Sequence, residues 1–232
     1  MIYADTLPGT FLSRPNRFVA HVDVVGETVI AHVKNTGRCK ELLIPGARVV
    51  LQKSDNPNRT TQYDLIAVWK GDRLINMDSQ APNKVFLEYL RSGRYIENIM
   101  LIKPETKYDG SRFDFYVETE ERKNFRKIFI EVKGVTLEEN GVALFPDAPT
   151  ERGVKHLNEL SRSVGEGYEA QMIFVVQMSD VRYFAPNNGT HPEFGAALVS
   201  AETAGVKVAA FDCDVTPDSL MIGKSVEFRL QM

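Results

Sequence analysis

The stretch 111–134, SRFDFYVETEERKNFRKIFIEVKG, decides how this chain is read. Its two ends are strand patterns: Arg112–Val117 and Ile128–Val132 carry apolar residues with a charged residue set between them. Side chains alternate between the faces of a strand, so period-2 geometry sends Phe113 and Phe115 to one face and Asp114 to the other. On the second strand Glu131 and Lys133 share a face, about 7 Å apart along the chain direction, while Ile130 and Val132 face away. If the two strands pair, two carboxylates and an ammonium converge on one spot.

Phosphodiester hydrolysis needs that combination. Carboxylates are hard oxygen ligands for Mg²⁺, which neutralises phosphate charge and lowers the pKa of a bound water. A lysine beside them can orient the water or stabilise the transition state. Sixteen residues separate Asp114 from Glu131, and D-x16-E-x-K fits the catalytic signature of the PD-(D/E)xK nucleases. The expected metal ligands are Asp114 and Glu131, aided by the Val132 carbonyl and waters, with Glu88 on the preceding helix as third acid. Mg²⁺ is the expected cofactor, with Mn²⁺ an alternative; four histidines and two cysteines are not clustered for zinc. Taken alone, an E-x-K pair also describes a solvated strand face, and Glu88 also fits a solvent-facing helix position.

Working outward, APNKVFLEYLR (81–91) predicts a helix, with Pro82 in its first turn and Val85, Phe86, Tyr89 and Leu90 on one face. Strands are expected at Asn98–Lys103 and Gly141–Leu144. Thr150 is placed to cap a helix bearing Val154, Leu157 and Leu160. On that helix Arg152, Lys155 and His156 read as an exposed basic face or, for the histidine, a cap. QMIFVVQM (171–178) is a continuous apolar run, expected as a central strand buried on both faces. A helix over Glu193–Thr203 leads into a strand over Val206–Asp212. The order predicts a mixed sheet covered by helices.

The front of the chain differs. Phe18–Val25, Thr28–Lys34, Ala47–Gln52, Tyr63–Trp69 and Arg73–Met77 are five short strands broken by turns, and a five-stranded OB-fold barrel is the expected outcome. The fold class is therefore α+β in two domains: a small β-barrel over 1–80, and a mixed α/β sheet of PD-(D/E)xK nuclease type over 81–232.

The net charge is −3, yet residues 1–60 hold eight Lys/Arg against five Asp/Glu, leaving 20 bases and 26 acids behind them. A basic front on an acidic chain is compatible with a phosphate-tracking module joined to a carboxylate-bearing one. No apolar run approaches the roughly 20 residues that span a bilayer. MIYADTLPGTF lacks the features of a secretory signal. Two cysteines, Cys39 and Cys213, form no disulfide framework, which points to a reducing cytoplasm. His32, alone on a strand, reads as structural.

Six blocks together resemble the sugar fermentation stimulation protein A family: SRPNRFVAHV (13–22), AHVKNTGRCKELLIPGARV (31–49), APNKVFLEYL (81–90), ETKYDGSRFDF (105–115), IEVKGVTL (130–137) and FPDAPTERGVKHLNEL (145–160). The resemblance covers nearly the whole chain. It implies an OB-fold, a PD-(D/E)xK-like domain and DNA as partner. It carries over Asp114, Glu131 and Lys133 as the nuclease-type triad, with Glu88 and Glu105 as supporting acids. Val33-Lys34 and Cys39 depart from the family's commoner Cys-Pro and methionine. The candidate DNA-contacting residues are Arg14, Arg17, Lys34, Asn35, Arg38, Arg152 and Lys155. Three readings stay open: a Mg²⁺-dependent DNA nuclease, a non-catalytic DNA-binding regulator of sugar-metabolism genes, and an oligosaccharide-binding barrel. The oligomeric state does not follow from the sequence.

Overall fold

The structure is a computed structural model that describes residues 1–35, 37, 39–121 and 124–230. The barrel is built from β1 (Thr6–Asn16), β2 (Val19–Val24), β3 (Glu27–Val33), β4 (Arg48–Lys53) and β5 (Tyr63–Lys70), and β6 (Arg73–Asn76) extends it as a hairpin. Strand order is β3-β2-β1-β4-β5, and parallel pairing of β3 with β5, Ala31 opposite Tyr63 and Val33 opposite Leu65, closes the ring. Closure removes both free edges. Phe11, Val22, Val33, Leu51 and Leu65 fill the interior.

The expected count of five strands is met by a different set. β1 is absent from the pattern because Pro8, Gly9 and Pro15 are poor strand residues, yet Pro8 pairs opposite Val50 and Gly9 opposite Val49. β6, expected inside the barrel, lies beyond its closure.

The second unit follows as α1 (Ala81–Arg91), β7 (Ile99–Tyr108), β8 (Ser111–Glu121), β9 (Asn124–Val135), β10 (Leu137–Glu139), β11 (Val142–Phe145), α2 (Glu151–Gly165), β12 (Glu169–Val176), β13 (Tyr183–Pro186), α3 (Pro192–Thr203), β14 (Lys207–Thr216) and β15 (Ser219–Val226). The main sheet runs β15-β14-β12-β9-β8-β7, parallel across β14, β12 and β9 and antiparallel outside them; β10, β11 and β13 form a small second sheet. β12 alternates between two cores. Met172, Phe174 and Val176 pack on the side of α2 and α3, while Ile173 and Val175 pack on the side of α1. That is why its sequence is apolar without interruption.

The two units share a buried polar junction. Asp78 is fully buried and accepts from Lys34 Nζ at 2.7 Å, from Tyr3 at 3.3 Å and from the Gln80 N–H at 3.0 Å. Gln177, on the loop after β12, donates to Asn76 Oδ1 at 2.9 Å and to the Asp78 carbonyl at 3.0 Å. Asn76 in turn donates to the Tyr3 hydroxyl at 3.0 Å. A buried carboxylate that loses its cation is costly, about 3–5 kcal/mol when nothing else supports it. Tyr3 and Gln80 remain here, so Lys34→Met is expected to lower stability by about 2 kcal/mol in urea unfolding. A loss under about 0.5 kcal/mol would show that the ammonium does not hold the junction.

No helix among the described residues is long and apolar enough to cross a membrane. Cys39 and Cys213 are both buried thiols, unbridged; burial first, then nearby acids, pushes Cys39 up to about 12 and Cys213 higher still.

Candidate metal and phosphate site

β8 and β9 pair from Glu121–Asn124 as far as Phe115–Ile130, and the ladder ends there. Asp114 and Glu131 are the next residues, where the strands have parted. The Asp114 carboxylate fills the gap: its Oδ2 accepts the Val132 N–H at 2.7 Å and its Oδ1 accepts from Asn83 Nδ2 at 2.7 Å.

Strict alternation fails at this point, contrary to the expectation for Phe113 and Phe115. Phe113 lies on the α2 side, 5.3 Å from Phe129 and edge-on to His156 at 6.1 Å, whereas Phe115 packs on the α1 side, 6.1 Å from Phe86. On β7, Pro104 and Thr106 pair with Phe115 and Phe113, so Glu105 stands opposite Asp114, and it adopts a φ of +52°. The left-handed Glu105 and the parting of the two phenylalanines thus fall at the same register position of the β7–β8 ladder. Asp114 sits at the crossover, between the layers.

Glu131 is 2% exposed and faces α2. Its Oε1 accepts from Lys133 Nζ at 2.6 Å and from His156 Nδ1, while its Oε2 is buried with no hydrogen-bond partner. Burial alone would raise the Glu131 pKa, but the His156 hydrogen bond and the Lys133 charge outweigh it and hold the carboxyl below its ordinary value. Asp114 moves the other way. Burial and then the charge of Glu131 push it up to about 6, against the Val132, Lys133 and Asn83 contacts. Neighbouring carboxylates driven apart in this way single the pair out as a candidate site.

An orphaned, buried carboxylate oxygen beside a second acid fits a divalent cation, since Mg²⁺ needs only one or two carboxylates and fills its remaining positions with water. Among the described residues no three His, Cys, Asp or Glu side chains gather around one point. Glu88, expected as the third acid, takes the chain's amino group instead, at 2.7 Å, and its side chain is 57% exposed. The residue of α1 that meets Asp114 is Asn83. Five residues along a helix turn the side chain by about 140°, so the two cannot face the same point. Gly134 lets α1 come close, since a Cβ there would lie 2.7 Å from Pro82 and 2.6 Å from Gln177 Oε1. Glu105 is exposed and faces Arg112 at 3.7 Å.

His156 is 3% exposed, contrary to the expectation of an exposed or capping residue. Thr150 Oγ1 supplies the cap, accepting the Gly153 N–H at 3.1 Å. The signal was present: Gly153, His156, Leu157 and Leu160 follow the i, i+3, i+4, i+7 stripe of a helix face turned inward, and all four are buried. Asn83 had no such signal.

The candidate DNA-contacting residues divide. Arg17 is exposed on the β1–β2 turn. Arg14 donates to the carbonyls of Arg17, Asn35 and Gly37 at 2.6, 3.1 and 3.3 Å, and so ties that turn to the loop after β3. Asn35 turns back on its own loop, its Oδ1 accepting the Gly37 N–H at 2.7 Å. Lys34 is committed to Asp78. Arg38 lies outside the described residues. Arg152 and Lys155 are exposed, the former 3.4 Å from His156 Nε2 and the latter donating to the Gly110 carbonyl at 2.8 Å. With Lys107 and Arg112 they line a cleft of about 430 Å³ that reaches His156. A second cleft, of about 620 Å³, lies between Arg14, Arg17 and Lys40 of the barrel and Ala148-Pro149 ahead of α2. His32, read as structural, lies 3.3 Å from Asp64.

Residues 12–77 match the model described as the SfsA N-terminal OB domain, and residues 80–219 match the sugar fermentation stimulation protein RE domain. Sugar fermentation stimulation protein homologs of Desulfitobacterium hafniense and Ruminiclostridium cellulolyticum are each 59% identical over 230 residues; both alignments cover 99% of this chain, with 99% and 100% of the relatives. The structure of Pyrococcus furiosus SfsA in complex with Ca²⁺ superposes with a TM-score of 0.87 at 27% identity, over 99% of this chain and 98% of that one. By domain matches, by identity along its whole length and by shape, the chain belongs to the sugar fermentation stimulation protein family.

Proposed function

We propose that this protein binds DNA and that Asp114 and Glu131 hold one divalent cation, Mg²⁺ or Mn²⁺, for phosphodiester hydrolysis. The observation that carries the reading is the buried, unpartnered Glu131 Oε2, on a carboxylate whose charge helps push the Asp114 carboxyl up to about 6. Ca²⁺ in the Pyrococcus furiosus relative supports a hard-cation site in this fold. A bound cation supplies Lewis acidity toward a phosphate oxygen and a water acidified for attack. The chain's own groups do the rest. Asn83 and the Val132 N–H orient Asp114. Lys133 offers an ammonium at the same point, donating to Glu131 and free to turn toward added negative charge. The cleft of Lys107, Arg112, Arg152 and Lys155, with Asp109 as its one acid, reaches His156, the partner of Glu131, and attracts a phosphate backbone by charge.

Labelled single-stranded, double-stranded and branched DNA incubated with the full-length protein and Mg²⁺ or Mn²⁺ tests this. Cleavage should require the cation and fall at least about 100-fold in both Asp114→Asn and Lys133→Ala. Cation affinity should fall in the first and stay within a few-fold in the second. Binding should weaken steeply with salt, and charge reversal at Arg17 and Lys40 should reduce it alike on unrelated sequences. Salt-independent affinity would remove the barrel from the binding surface. The lack of a third acid at the site among the described residues favours a second reading, a non-catalytic DNA-binding regulator. Retained binding with no cleavage under any cation would select it.

A further inference from the structure

We infer that His156 is a positioning residue that aims Glu131 at the cation; this rests on the cation-site reading above. A carboxylate is planar, so pinning one oxygen fixes the direction of the other. Glu131 Oε1 is pinned twice, by Lys133 from its own strand and by His156 from α2, and Oε2 is left bare in a buried space. Of the two donors only His156 is rigid. Its ring stands edge-on to Phe113 at 6.1 Å, and its neighbours Leu157 and Leu160 are fully buried on the same helix face. The Lys133 ammonium ends a flexible four-carbon stem.

The tautomer follows from the other ring nitrogen. Arg152 Nε approaches His156 Nε2 at 3.4 Å as a donor, so Nε2 accepts and Nδ1 carries the hydrogen that goes to Glu131. The acceptor at Nε2 also links the ligand to the basic cleft, since Arg152 lines that cleft. Hydrogen bonds that orient a metal ligand typically change affinity by about 10–100-fold when removed.

The amide of asparagine overlays the Nδ1 position of histidine, whereas that of glutamine reaches one carbon further. Mn²⁺ titrated into the wild type and each variant and followed by electron paramagnetic resonance should therefore give affinities within about threefold for wild type and His156→Asn. His156→Leu and His156→Gln should bind about 10–100-fold more weakly. Unfolding in chelator, run alongside, separates this from a packing role, which would lower stability and leave Mn²⁺ affinity unchanged. Wild-type affinity in folded His156→Gln or His156→Leu, or equal weakening in all three variants, would overturn the inference while leaving the cation site standing. Failure of the wild type to bind Mn²⁺ would overturn the cation reading and this role with it.

Discussion

Asp114→Asn should make the protein more stable at neutral pH while removing its response to divalent cations. Burial and the Glu131 charge raise the Asp114 carboxyl from its ordinary 3.8 to about 6. A carboxyl with a raised folded pKa favours the fold fully below its unfolded value, and that contribution is lost as pH rises through the folded one. Above pH 6 the fold carries the whole penalty of the charge, about 3 kcal/mol; at pH 4.5 it carries about 1 kcal/mol. Asparagine keeps the shape. Its oxygen can still accept the Val132 N–H and its amide can donate to a reoriented Asn83, so few hydrogen bonds are lost. Urea unfolding in chelator should show a gain approaching 3 kcal/mol at pH 7.5 that shrinks to about 1 kcal/mol at pH 4.5. Mg²⁺ or Mn²⁺ should stabilise the wild type by mass action and leave the variant unmoved. A pH-independent change in stability would show that Asp114 is not held against a charge penalty.

Glu131→Met is expected to be destabilising by about 3–5 kcal/mol, the cost of leaving a buried cation without its carboxylate. Lys133 is 17% exposed and its ammonium has Glu131 as its partner at 2.6 Å, while the His156 Nδ1–H loses its acceptor as well. Glu131→Gln keeps an acceptor for one of the two and should cost less, about 1–2 kcal/mol. Pairing Glu131→Met with Lys133→Met should recover most of the loss, because two apolar side chains can replace a buried ion pair at little net cost. Equilibrium unfolding of the wild type, Glu131→Met, Lys133→Met and the double variant forms a double-mutant cycle. An interaction energy below about 0.5 kcal/mol would mean that the pair is solvated rather than buried. Cation affinity should fall in every Glu131 variant, whatever its stability.

Local pattern by itself determined a good deal. α1 spans Ala81–Arg91 as expected, because Pro82 and the 85, 86, 90 stripe mark its start and its inner face. β12 was legible because both its faces are buried, and Thr150 because its side chain satisfies a nearby N–H of its own helix. Each of these depends on residues a few positions apart. The meeting of Glu131 with Lys133 was legible too, since period 2 puts residues i and i+2 on one face.

Only the tertiary structure decided what surrounds that set. Glu88 and Asn83 are both polar residues of one helix, and the angle at which α1 docks chooses between them. Phe113 and Phe115 part to opposite cores just where the β8–β9 ladder ends, a break that no local pattern announces. The prolines of β1 argue against a strand, and pairing to β2 and β4 outweighs that preference. Arg14 and Lys34, basic and near a turn, were expected to face DNA; one ties loop to loop and the other neutralises a buried carboxylate. A charge in a sequence carries its sign but not its partner. The partner is set by contacts between residues far apart in the chain, and so is the bare oxygen of Glu131 on which the proposed chemistry rests.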